Sequence, residues 1–251
     1  MNILLTNDDG IQAVGLRALY HALKRAGMKV QVVAPVAEQS AVGHAVSLSS
    51  PLRVKKFEED GFSGLGVYGT PVDCVKLGLT TLLENKPDIV VSGINSGANV
   101  GVDIIYSGTV SAATEGALMG YPAIAVSYDS FSPKDLSGQG DYCADLLSKI
   151  PWADLEPKTV VNLNFPAIPI SETKGLEICR HTRVSWQDWY EVRQDPRGHT
   201  YYWLDGVMPK EKISPGTDRD LLSNGYVTMT PLHFDFTDRA AIVTLEKCLK
   251  S

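Results

Sequence analysis

Asp8 and Asp9 are adjacent carboxylates near the start of the chain, after the apolar run Ile3-Leu4-Leu5 and before Gly10. Two like charges side by side repel, and one is pushed toward protonation unless a cation holds the pair. A hard divalent cation such as Mg²⁺ or Mn²⁺ suits oxygen donors of this kind. The same residues also suit a plain Asx-type turn, with either aspartate capping the next helix and Gly10 at positive φ. A second group of donors lies in Ile94-Asn95-Ser96-Gly97-Ala98-Asn99-Val100-Gly101. Its small residues make a tight loop that can approach a ligand closely. Asn95 offers a neutral amide oxygen to a metal, and Asn99 an amide that accepts or donates. Ser40, in the polar stretch Ala37 to His44, could give its hydroxyl to a metal or phosphate, or serve as a turn or cap residue. Tyr106-Ser107-Gly108-Thr109 precedes a small-residue helix. Free N–H groups and the helix dipole make such a start an anion site, and Ser107 or Thr109 can cap the same helix. His233 lies in a loop, where it could act as a general acid or simply be solvated. His21, His44, His181 and His199 show no partner in the sequence.

The elements that would carry these residues alternate between strand and helix. The strand ending at Thr6 is followed by helical spacing of Val14, Leu16, Leu19, Tyr20 and Leu23, with Gly27 as the stop. Val30 to Ala34 is a second strand ended by Pro35, which completes a βαβ unit. Asn7-Asp8-Asp9-Gly10 occupies the turn where a dinucleotide site would need Gly-x-Gly-x-x-Gly, which counts against such a cofactor. Short strands are expected at 52–57 and 66–68. A helix starts at Thr70-Pro71 and runs to about Glu84, with Thr70 as N-cap. Asp88 to Gly93 reads as a buried strand, Val110 to Met119 as a helix and Pro122 to Ser127 as another strand. Asp129 to Gly140 reads as a surface loop, Asp141 to Ile150 as a helix and Thr159 to Phe165 as a strand. The expected fold is α/β with a mainly parallel sheet. Ligands in such sheets sit beyond the carboxyl ends of the strands, which is where Asp8, Asp9 and the Ser40 and Asn95 loops would meet.

From Pro166 the character changes, so residues 1–165 read as the core and 166–251 as an extension. Leu176 to Arg180 suggests a strand. Trp186 to Val192 and Thr200 to Leu204 flank the turn signal Gln194-Asp195-Pro196-Arg197-Gly198. A hairpin this aromatic needs a partner surface. It reads as an oligomerisation arm, or else as a wall that stacks on a substrate base. Asp218 to Gly225 suggests a short helix, Tyr226 to Thr230 a strand stopped by Pro231, and Arg239 to Leu249 a terminal helix.

The chain has 251 residues, 44% of them hydrophobic, and a net charge of −6, so it can build a real core but is a poor general nucleic-acid binder. A negative protein that handles phosphate needs local positive charge, which a bound metal supplies. The four cysteines are far apart and form no Cys-x-x-Cys pair. With no signal-peptide pattern and no membrane-spanning run, a cytoplasmic protein with no membrane partner is expected.

Leu5-Thr6-Asn7-Asp8-Asp9-Gly10, the Ser40 loop, Ser92 to Asn99, Tyr106 to Val110 and Asn224 to Leu232 occur together and in order. The set resembles the survival protein SurE family of metal-dependent 5′/3′-nucleotidases over nearly the whole chain. The resemblance implies a Rossmann-like three-layer α/β/α core and a C-terminal β-hairpin exchanged between subunits in a dimer or tetramer. It implies hydrolysis of nucleoside monophosphates, with polyphosphate degradation as a side activity. It places the metal ligands on Asp8, Asp9, Ser40 and Asn95, for one Mg²⁺ or Mn²⁺ per subunit. It places phosphate contacts on Asn99, Ser107, Gly108 and Thr109.

With those positions, Asp8 would orient or deprotonate an attacking water, or else form an aspartyl-phosphate, while Asn99 and the Ser107 loop hold developing charge. Asp8, Asn99 and Ser107 are therefore the expected catalytic residues. A non-catalytic nucleotide-sensing protein would use the same pocket without turnover.

Overall fold

The computed structural model describes residues 1–59 and 61–250. β1 (Asn2–Thr6) is apolar and buried, as a central strand covered on both faces must be. α1 (Val14–Arg25) returns with Leu16, Leu19 and Leu23 on its buried side and Lys24 and Arg25 in its last turn. β2 (Lys29–Pro35) then pairs parallel to β1. β3 (Val54–Glu59) and β4 (Phe62–Val67) form an antiparallel pair at one sheet edge, β3 offset from the strand expected at 52–57 and β4 starting earlier than the one expected at 66–68.

α2 (Pro71–Leu77) starts as expected, with Thr70 and Asp73 satisfying each other's backbone N–H in a capping box. It does not continue as an α-helix to Glu84; Gly78–Leu82 is a π-helical turn. The Thr80 hydroxyl donates to the Lys76 carbonyl at 2.7 Å there, and β-branched residues beside a glycine hold an α-helix poorly. β5 (Ile89–Ser96) runs three residues further than expected, through a register irregularity between Ser92 and Asn95. α3 (Gly108–Leu118) and β6 (Ala123–Tyr128) follow.

α4 (Ser137–Lys149) starts within the expected surface loop, because Asp135 accepts from the Ser137 amide at 2.9 Å and nucleates the turn. Gly140 lets this helix lie against α1, since a Cβ there would come within 3.0 Å of the Ala22 Cβ. β7 (Val160–Phe165), β8 (Leu176–Ile178) and, after the hairpin, β11 (Val227–Leu232) complete the sheet. Pro231 does not stop β11. β8 pairs only with Val227 to Met229, so Pro231 has no ladder bond to donate on that side.

The nine strands run in the order β3-β4-β2-β1-β5-β6-β7-β11-β8, parallel from β4 to β7. α1 and α4 cover one face around Ile3, Leu5, Ile124 and Phe165. α2 and α3 cover the other around Leu4, Val33, Val90 and Ala125. This is the three-layer α/β/α arrangement. β9 (Gln187–Gln194) and β10 (Thr200–Val207) form a separate two-stranded sheet. Its turn is closed by Asp195, which accepts from the Arg197 and His199 amides. Trp189, Tyr190, Tyr202 and Trp203 are all exposed on it. α5 (Asp218–Ser223) precedes β11, and α6 (Arg239–Leu249) ends the chain with no buried residue.

Candidate active site

The parallel strands deliver their carboxyl ends to one edge, and the candidate residues assemble there. Asn7 makes the turn after β1: its amide donates to the Gly10 carbonyl at 2.9 Å, with Gly10 at φ +98°. The aspartates are not used as caps, since α1 starts after Ala13 with no side-chain cap. Asp8 is 4% exposed and Asp9 half-buried. Burial pushes the Asp8 carboxyl up to about 6; the hydroxyl of Thr109 opposes this, and the charge of Asp9 adds to it. Burial also raises Asp9, against the hydrogen bond from the Ser96 amide at 2.9 Å, with Glu38 adding repulsion. Among the described residues no ion pair reaches either carboxylate.

α3 begins against this pair. Ser107 is its N-cap, accepting from the Val110 amide at 3.1 Å. Thr109 does not cap; its hydroxyl donates to Asp8 in a short hydrogen bond. Gly108 is packed on the Asp8 side chain so closely that a Cβ would lie 2.8 Å from Oδ2. The amides of Gly108 and Thr109 fall in the first helical turn, beyond reach of any helix carbonyl. A helix start with free amides and a buried carboxylate therefore adjoin.

Asn95, at the irregular end of β5, donates its Nδ2 to the Gly97 carbonyl at 2.7 Å, which leaves Oδ1 as the atom available to a cation. Asn99 is held on all sides. Its backbone N–H donates to Asn164 Oδ1 at 2.8 Å and its Nδ2 to the Ser127 hydroxyl at 2.8 Å. Its carbonyl accepts from Asn162 and Asn164. One side-chain N–H and Oδ1 remain for a ligand. Ser40 is exposed, and its hydroxyl donates to Glu38 at 2.5 Å. The loop that carries it is tied to the site where the Gln39 amide donates to the Asp8 carbonyl at 2.8 Å. Ser40, Asp9, Glu38 and Ser96 share a cleft of about 440 Å³.

His233 is not brought to these residues. It lines a different, largely apolar cleft of about 460 Å³ with His44 and His181, behind the first turns of α3. His44 has a partner that sequence spacing did not reveal: it meets Glu115 of α3 at 2.8 Å, and Lys76 meets the same carboxylate at 2.6 Å. Asn162, Asn164 and Ser127 are likewise partners of Asn99 absent from the sequence reading. The signal was two asparagines two apart in an otherwise apolar strand, hence on one face.

The donor set tests well for a hard cation. Two carboxylates of raised pKa, an oriented amide oxygen and a hydroxyl are all oxygen donors. Asn7 Oδ1 is also buried here without a partner. Among the described residues no group of three or more His, Cys, Asp or Glu could hold a metal, so an imidazole- or thiolate-rich site has no candidate there.

The family model of survival protein SurE matches residues 3–188. The chain belongs to the SurE family. Among SurE relatives, "5'-nucleotidase SurE" of Maridesulfovibrio salexigens is 85% identical over 247 residues, covering 98% of each chain. The protein of the same name from Nitratidesulfovibrio vulgaris (Miyazaki F) is 64% identical, covering 98% of this chain and 92% of its own. The crystal structure of the SurE protein from Aquifex aeolicus superposes with a TM-score of 0.85 at 37% identity, covering 99% of both chains. The SurE fold, with its mostly parallel sheet and separate C-terminal hairpin, is thus shared over the full length.

Proposed function

We propose that this SurE chain is a 5′-nucleotidase: a metal-dependent phosphomonoesterase that converts nucleoside monophosphates to nucleoside and phosphate. Nucleoside 3′-monophosphates and polyphosphate ends are further substrates in this reading. The observation that carries it is the contact between buried Asp8 and the start of α3, a carboxylate beside free helix amides, which supports reading them as base and phosphate cradle. The names of the curated relatives support the nucleotidase assignment.

Asp8, Asp9, Asn95 and Ser40 would hold one Mg²⁺ or Mn²⁺. Bound there, the cation supplies Lewis acidity toward a phosphoryl oxygen and lowers the pKa of water. The chain's own residues do the rest. Asp8, the buried carboxylate beside the helix start, would orient the attacking water and take its proton. Thr109 fixes the orientation of that carboxylate through its hydroxyl. The Gly108 and Thr109 amides and the Asn99 side chain hold the negative charge that develops on the phosphoryl oxygens. Ser107 keeps the helix start in shape by capping it, and its O–H would donate to the phosphate. Ser127, Asn162 and Asn164 fix Asn99 without touching substrate.

The exposed aromatics of β9 and β10 support self-association through the hairpin. No helix of the described residues is long and apolar enough to cross a membrane. All four cysteines are free thiols, which fits a reducing cytoplasm.

The test is phosphate release from AMP with Mn²⁺ by the wild type and by Asp8→Asn. Turnover by the wild type and its loss in a folded Asp8→Asn are expected. Equal turnover by both removes Asp8 from the mechanism, and no turnover by either removes the activity.

A further inference from the structure

We infer that the ring of Phe131 is the platform on which the base of the nucleotide stacks, and that the cleft beside Asp9 is the nucleoside half of the site. The inference rests on the nucleotidase reading and names where that substrate's base lies. The cleft of about 440 Å³ is lined by Asp9, Ser40 and Ser96 together with Phe131, Ser132 and Pro133. That volume lies in the roughly 300–1,000 Å³ range of small-molecule sites. Of the proposed metal ligands, Asp9 and Ser40 line this cleft, so a phosphate held on that cation would border it. The larger apolar cleft beneath His233 is lined by none of the proposed metal ligands.

Phe131 stands out among the lining residues. It is 88% exposed, although a phenyl ring left in water forfeits its burial energy. Part of the ring nonetheless lies against the chain. It lies over Gly97, so closely that a Cβ on that residue would come 2.8 Å from the ring's Cε1. Gly97 sits two residues after Asn95, whose amide bonds its carbonyl, so the ring is seated on the backbone of the metal-and-phosphate loop. A ring supported on one side and open on the other is what a planar base needs, and every base offers a π-face to it. No Lys or Arg lines the cleft, so a base there is held by stacking and not by an ion pair. The acidic lining, Glu38 and Asp9, presents acceptors to hydroxyl groups such as those of a ribose. Within one chain the hairpin aromatics line no part of this cleft, and Phe131 is the aromatic that does.

Stacking that is equal in the ground and transition states changes KM and leaves kcat alone. The experiment compares wild type, Phe131→Ala and Phe131→Trp on AMP and on ribose 5-phosphate, which carries the same ester without a base. In Phe131→Ala, KM for AMP should rise by about 5- to 150-fold, the range for losing one base–aromatic stack. KM for ribose 5-phosphate should move by less than about twofold, and Phe131→Trp should restore the AMP value to the same margin. Equal shifts for both substrates would overturn the inference, because they report a loop disturbed as a whole. An unchanged KM for AMP, or a Trp variant as weak as the Ala variant, would overturn it too. If the wild type releases phosphate from neither substrate, the nucleotidase reading itself has failed and takes this inference with it.

Discussion

Gly108→Ala is the smallest change that separates the site from the fold. Gly108 does not occupy the left-handed region, so alanine is compatible with its backbone. A helix position also gains about 1 kcal/mol from Gly to Ala. The new methyl would stand 2.7 Å from Asp8 Cβ and 2.8 Å from Oδ2, where ordinary contact begins at 3.4 Å. The shortfall is therefore about 0.6–0.7 Å. Asp8 is buried and tethered by Thr109, so the displacement falls on the carboxylate. Misplacing a catalytic group by about 1 Å costs on the order of 100-fold, so kcat/KM for AMP should fall about 30- to 100-fold, or roughly 2–3 kcal/mol. Overpacking of about 1–3 kcal/mol, less the helix gain, leaves a net stability loss of about 0–2 kcal/mol. Phosphate release at saturating Mn²⁺ and urea unfolding measure the two quantities. A kcat/KM within about threefold of wild type would refute the reasoning, because 1.4 kcal/mol is already tenfold. So would a loss of stability above about 4 kcal/mol, which would mark general unfolding.

Three further outcomes are expected. Asn164→Ala leaves the buried Asn99 amide without its acceptor, so stability should drop by about 1–3 kcal/mol in urea unfolding, with kcat falling as Asn99 loosens. Burial alone would raise the Asp73 carboxyl, but hydrogen bonds from Ser47 and Thr70 outweigh it and hold the group below its usual 3.8. A folded pKa below the unfolded one stabilises above the unfolded value, and that stability disappears as pH falls through the folded value. Between about pH 5 and 3, Asp73→Asn should therefore lose stability less steeply than wild type, and parallel slopes would contradict the assignment. Deleting 187–207 should lower the molar mass seen by light scattering to that of one chain, and an unchanged assembly would show that the hairpin is not the arm.

The places of the candidate residues in the fold were legible because their signals are local. Asp8-Asp9 follow an apolar strand, Ser107 caps a small-residue helix and, away from the site, Thr70-Pro71 start another, each within a few residues. The hairpin was legible in the same way, from Asp195 and Gly198 between aromatic runs. What could not be read is what folding brings together from far apart. His44 and Glu115 are 71 residues apart, and Asn99 meets Asn164 across 65. His233 illustrates the reverse: a residue type suited to acid catalysis, carried by the end of β11 to another cleft. The boundaries that moved did so for local reasons stronger than propensity. Thr80 bonds back to Lys76 and ends α2 early, while Asp135 bonds forward to Ser137 and starts α4 early.

The account turns on a cation that makes the paired carboxylates usable. Phosphate release from AMP by chelator-stripped protein, followed as Mn²⁺ is added back, tests this most directly. The account predicts activity near background without metal and a saturable return with Mn²⁺. Full turnover by the stripped protein, or a folded protein that neither Mn²⁺ nor Mg²⁺ reactivates, would contradict it.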